Sequence, residues 1–200
     1  MNAITPAHGI RHERHGRRKN ALACYGWRLL ELLILLSILR YSAVAQSAGE
    51  YQVKAAFLYN FAKFVEWPPS GFRSATAPLQ ICILGQDPFG QELRDLVSTK
   101  TVNGRKFEVD YVVDVRLARA CHILFIAASE KSRVKQILES VRGTVALTVS
   151  DTEGFAEQGG MIDFLLDNDR VLFEVNRAAA EQAGLKISSK LLGVAKAVIG

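Results

Sequence analysis

Histidine and cysteine are scarce in this chain, four and three residues out of 200, and where they lie narrows the chemistry further. His8, His12 and His15 fall in the first fifteen positions, so the body of the chain holds only His122. A centre built on several histidines is thereby disfavoured there. There is no glycine-rich phosphate loop, no His-Glu-x-x-His pair, no serine elbow and no second histidine to activate a nucleophile. Gly159-Gly160 lacks the spacing of a dinucleotide fingerprint and instead suits a sharp turn into a strand. No repeat or low-complexity tract occurs. Long apolar runs are also missing, since Leu29 to Leu39 falls short of the roughly 18 to 20 residues that a bilayer requires.

That short run has a recognisable setting. It follows a basic head of Arg11, Arg14, Arg17, Arg18 and Lys19 and precedes Ala43-Val44-Ala45, the layout of a cleavable export signal. Arg28, Glu31 and Arg40 interrupt or flank the apolar stretch, which speaks against a permanent anchor. Cleavage is expected after Ala45, leaving residues 46–200 as a single domain. Cys24 precedes the apolar run instead of following it, which argues against a lipoprotein, and Arg17-Arg18 lacks the residues that would follow a twin-arginine pair.

Removing residues 1–45 changes the electrostatics. They hold seven of the 25 basic and two of the 20 acidic residues, so 18 of each remain. A near-neutral remainder lacks the clustered basic face of a nucleic-acid binder, and no nucleic-acid partner is expected. About 155 residues is enough for one core without staples. Cys82 and Cys121 each enter an apolar run, where two adjacent strands would allow a disulfide and separate ones would leave two buried thiols. The residues alone leave both open.

Apolar spacing predicts a helix over Val53 to Val65, ended by Trp67-Pro68-Pro69. Buried strands are expected at Leu79 to Leu84, Cys121 to Ala127 and Thr144 to Val149, and a half-exposed one at Lys106 to Val113. Helices are expected from Pro88 to Val97, Glu130 to Val141, Asn176 to Ala183 and Lys190 to Val198. Met161 to Leu166 and Val171 to Val175 read as a hairpin. Such alternation implies an α/β three-layer sandwich: a mainly parallel sheet with an antiparallel edge hairpin and helices on both faces.

Sheets of this kind bind ligands beyond the carboxyl ends of their strands. Here that rim carries Asp87, Glu130 and Asp151, with Gln86, Ser129 and Ser150 beside them. Three carboxylates suggest a cation site or acid–base pair, but each also sits where Asp, Ser or Glu caps a turn or helix. Capping is the better reading, and neither a catalytic residue nor a metal or cofactor site is assigned.

The segments themselves resemble a known family. Lys54-Ala55-Ala56-Phe57-Leu58-Tyr59-Asn60-Phe61-Ala62-Lys63-Phe64-Val65-Glu66-Trp67-Pro68 is followed by Ile83-Leu84-Gly85, Asp87-Pro88-Phe89-Gly90, Val102-Asn103-Gly104-Arg105 and Cys121-His122-Ile123-Leu124-Phe125-Ile126. Leu147-Thr148-Val149-Ser150-Asp151, Gly159-Gly160-Met161-Ile162, Phe173-Glu174-Val175-Asn176 and Leu185-Lys186-Ile187-Ser188-Ser189-Lys190-Leu191-Leu192 complete the series. In this order they are similar to the YfiR-like family of exported bacterial proteins. The resemblance implies a periplasmic, non-catalytic repressor that binds the periplasmic region of an inner-membrane diguanylate cyclase, or of another membrane sensor protein, and lowers cyclic di-GMP. It also implies association as a homodimer and favours a Cys82–Cys121 bridge, matching a family cysteine pair linked to redox state. A second cysteine pair found in some relatives is absent. The competing expectation is a periplasmic small-molecule sensor using the rim at Asp87, Glu130 and Asp151; a hydrolase is the third.

Overall fold

The computed structural model describes residues 49–200, so the expected signal peptide and its cleavage point lie outside the described residues. Helix α1 covers residues 49–64. Its buried Ala55, Leu58, Phe61 and Ala62 recur at helical spacing and form the stripe that meets the sheet. The chain then leaves the helix as strand β1 (Val65–Glu66), and Pro68 and Pro69 lead into a single 3-10 turn.

The main sheet comprises β2 (Leu79–Leu84), β3 (Thr101–Val102), β4 (Arg105–Val112), β5 (Ile123–Ile126), β6 (Leu147–Ser150), β7 (Ile162–Asp167), β8 (Arg170–Asn176) and, beyond a short β9 (Lys186–Ile187), β10 (Ala197–Ile199). Its order is β10-β8-β7-β6-β5-β2-β4-β3, and β1 pairs separately with β9. All neighbours are parallel except β3 with β4 and β7 with β8. Both antiparallel pairs turn on left-handed residues, Asn103 and Gly104 in one and Asn168 and Asp169 in the other.

Alternation along the central strands builds two cores. Ile81, Ile83, Ile123, Phe125, Leu147 and Val149 point to one face, against α1, α2 (Glu92–Ser98), α4 (Arg177–Gln182) and α5 (Ser189–Leu192). Cys82, Leu84, Leu124 and Ile126 point to the other, against α3 (Val134–Ser140) and the 3-10 segment Val115–Ala120. This is the expected three-layer α/β sandwich. The aromatic stripe of α1 is core: the Phe61 ring lies 5.2 Å from Phe173 and 5.6 Å from Phe164 on the hairpin.

Three elements depart from the sequence reading. Helix α2 begins at Glu92, not Pro88, because Gly90 sits at φ +56°, outside any helical path. The segment expected as one helix from Glu130 begins as a 3-10 stretch, Ala128–Arg133, since the Ser129 hydroxyl accepts the Gln86 N–H at 2.9 Å and so caps nothing. The last expected helix stops at Leu192, and Ala197–Ile199 instead joins the sheet beside β8, led in by the Lys196 N–H donating to the Phe173 carbonyl at 2.8 Å. The expected antiparallel hairpin is β7–β8, and β10 lies outside it.

Cys82 and Cys121 form a disulfide with their Cα atoms 5.8 Å apart, buried in the second core. The bridge spans 39 positions and ties β2 to the residue entering β5. By chain entropy such a loop contributes about 4 kcal/mol. Reduction, or the Cys82→Ala/Cys121→Ala pair, should lower the unfolding free energy by about that amount in urea denaturation, and neither thiol of the oxidised protein should alkylate.

Candidate functional site

The carboxyl ends of β2, β5 and β6 lie in register, with Leu84 beside Ile126 and Ile126 beside Ser150. Asp87, Glu130 and Asp151 follow these ends and therefore share one rim. Each carboxylate is engaged by a different partner. Asp87 Oδ1 accepts the Phe89 N–H at 2.8 Å, closing a local turn. Glu130 Oε2 accepts from Arg133, with Nε at 2.9 Å. Gly85, at φ +95°, allows the two loops to meet: a Cβ there would lie 2.5 Å from Ser129 Oγ and 2.8 Å from Glu130 Cγ.

Asp151 has the most elaborate setting. Its Oδ2 accepts from Tyr51 OH and from Lys54 Nζ, both at 2.7 Å, while Lys54 Nζ also reaches Glu50 Oε1 at 2.5 Å. The ammonium lies 4.3 Å from the centre of the Tyr51 ring. Lys54 is only 3 % exposed, so this is a buried ion pair holding the amino end of α1 onto the rim. Burial, and then the bond to Asp151, push the Tyr51 phenol above its usual range. Asp151 Oδ1 is buried with no hydrogen-bond partner among the described residues. These bonds to Asp151 and Glu50 fix the first turns of α1 against the rim.

Lys54 and Tyr51 were not legible as partners of Asp151. One signal did exist: Lys54 sits four residues before Leu58 and seven before Phe61, on the core stripe of α1. A lysine on an apolar face requires a counter-charge, although not a particular one.

Two other buried titratable groups flank the sheet. His122 Nδ1 accepts the Gln80 N–H at 3.0 Å, so the proton of the neutral ring is on Nε2. Its ring stacks on Phe72 at 4.2 Å, and its carbonyl accepts Trp67 Nε1–H at 3.1 Å. Burial pulls its pKa down to about 4, against a smaller opposing pull from the Gly71 carbonyl. Asp163, on β7, faces the second core, where Oδ2 accepts the Phe155 N–H at 2.9 Å. Burial pushes its pKa up to about 6, assisted by Glu174 directly opposite on β8. Among the described residues no cluster of three His, Cys, Asp or Glu side chains is arranged to hold a metal.

The YfiR/HmsC-like family model matches residues 51–196. Among solved structures, a conserved domain protein from Vibrio cholerae O1 biovar El Tor strain N16961 aligns at 13 % identity with a TM-score of 0.45, over 60 % of this chain and 54 % of that one. This chain thus spans about half of that protein. No curated protein matches the chain.

Two predictions arise from these groups. Lys54→Met leaves Asp151 and Glu50 without their cation and should cost about 3–5 kcal/mol in urea denaturation, with Lys54→Met/Asp151→Asn recovering part of it. The second concerns pH. Asp163 has a folded pKa of about 6 against the usual 3.8, so the folded state binds the extra proton in that window and acidification stabilises it. His122 has a folded pKa of about 4 against 6.5, so the unfolded state binds the extra proton and acidification destabilises the fold. The slopes oppose each other. Relative to wild type, Asp163→Asn should lose stability on going from about pH 6.5 to 4, and His122→Asn should gain it, read from urea midpoints across that range.

Proposed function

The chain belongs to the YfiR/HmsC-like family, and from that premise we propose that it is an exported, non-catalytic regulator acting in the periplasm. Its signal peptide is cleaved after Ala45, and residues 46–200 form the working domain. That domain binds the periplasmic region of an inner-membrane diguanylate cyclase and holds it in an inactive state, lowering cyclic di-GMP. The observation that carries this reading is the family match over residues 51–196.

Three features of the molecule agree with it. A disulfide inside the second core fits an oxidising compartment. Asp87, Glu130 and Asp151 are each committed to a turn or an ion pair, which favours a binding protein over a catalyst. Among the described residues no helix is long and apolar enough to cross a membrane. A domain acting in the periplasm reaches cytoplasmic cyclic di-GMP only through a membrane-spanning partner. Repression through binding requires that the domain prefer the inactive conformer of that partner, because a ligand with equal affinity for both shifts nothing.

A small-molecule sensor using the rim is the second reading, favoured by the buried, unpartnered Asp151 Oδ1. A ligand at that atom would raise the melting temperature of the purified domain, whereas the regulatory reading requires no such shift. Deleting the gene should raise cellular cyclic di-GMP, and the mature protein should co-purify with a membrane cyclase and begin at Gln46 by mass spectrometry. Unchanged cyclic di-GMP with no cyclase recovered refutes the regulatory role.

A further inference from the structure

We propose that the outer edge of β4 is a strand-docking surface, and that its occupant is an extended partner segment alternating basic and apolar residues. In a parallel pair every second residue turns its N–H and C=O away from its neighbour, ready to accept another strand. Strand β4 pairs with β2 from Phe107 to Val112, yet on its other side β3 covers only Arg105 and Lys106. Among the described residues no strand pairs with that side over 107–112. Among the described residues this stretch is the longest open edge of the sheet: at the opposite end β10 has three residues and leaves only Arg170 to Phe173 of β8 uncovered.

The charges along the edge select the occupant. Lys106, Glu108 and Asp110 alternate along one face, and Glu108 and Asp110 are exposed. Glu108 bonds only the neutral side chain of Gln80, and Asp110 forms no ion pair or side-chain hydrogen bond with any described residue. The two carboxylates therefore lack a cation, and lysine or arginine directly opposite would supply one. A second copy of this chain would not. The antiparallel self-registers that use most of the strand set Glu108 against Asp110 of the copy, or Asp110 against itself, and like charges in cross-strand pairs are destabilising.

Edge charges also serve to keep sheets from aggregating. That role explains Glu108 and Asp110 but not what adjoins them. Tyr111 is 43 % exposed on the opposite face, and Val113, just past the strand's carboxyl end, is 91 % exposed. Tyr111 is held in place by the Gly90 carbonyl and by Arg94, whose guanidinium lies 4.5 Å from the ring centroid, an aromatic surface of the kind that anchors a partner. Acidic on one face and apolar on the other, the edge fits an alternating strand. Backbone hydrogen bonds would supply affinity and the alternation specificity.

The assignment of this edge to a membrane partner rests on the regulatory reading above, so the test has two arms. In the first, amide hydrogen exchange of the oxidised protein is followed with a synthetic peptide alternating lysine and valine, and with its glutamate–valine counterpart. The lysine peptide should slow exchange within 107–112, the glutamate peptide should not, and Glu108→Lys/Asp110→Lys should abolish the effect. Glu108→Gln/Asp110→Asn, which keeps the shape, should reduce it and serves if the charge-reversed variant does not fold. No slowing within 107–112, or equal slowing by both peptides, overturns the docking surface. In the second arm, the charge-reversed variant is expressed in place of the wild type and should raise cyclic di-GMP as deletion does. Full repression by a folded charge-reversed variant overturns the assignment to the partner. No rise on deletion defeats the regulatory reading alone, and the peptide arm still decides the edge.

Discussion

Burial of β5 on both faces is the constraint on which the rest of the molecule depends. Ile123, Leu124, Phe125 and Ile126 are all 0 % exposed, so each residue of this four-residue strand must meet a covering layer. Burying such side chains contributes about 1.5–3 kcal/mol each, which is available only if helices or turns lie above and below. A strand with two apolar faces therefore commits the chain to three layers. Parallel neighbours follow, because the connections that cover the faces return the chain to the same end of the sheet. The disulfide is part of the same arrangement: β2 lies beside β5, which places Cys82 within reach of Cys121.

The parallel arrangement also decides where polar groups gather. Three strands ending at one rim place Asp87, Glu130 and Asp151 along it, each held by its own turn or ion pair. Asp151 is the clearest case, a carboxylate that receives both a phenol and a buried ammonium from α1. At this rim Asp151 fastens the amino end of α1. At the periphery of the sheet, β4 is paired on one side only over most of its length.

Most of the architecture was legible because its signals are local and periodic. Leu79 to Leu84 and the run through Ile123 to Ile126 are apolar beyond any half-exposed pattern, and the turns at Asn103-Gly104 and around Asn168 have their own chemistry. Apart from the start of α2, where Gly90 breaks the helical path locally, the departures come from distant partners. Ser129 looks like a helix cap and instead receives the Gln86 N–H from another strand's loop, and Ala197 to Ile199 suits a helix as well as a strand until the edge of β8 is available. The partners of Asp163 and Lys54 are not legible in the sequence, because a single ionisable residue in an apolar pattern does not reveal what stands opposite it.

The sequence by itself determined the fold class, the apolar faces, the near-neutral charge of residues 46–200 and the family, since each depends on residue type and spacing along one segment. Tertiary structure alone decided that Cys82 and Cys121 bond, that Asp151 belongs to Lys54 and Tyr51, and that β4 is left open over 107–112. These are relations between residues distant in the chain, set by which strand lies beside which. Pattern within a strand states that it must be covered and paired; only the folded sheet states by what.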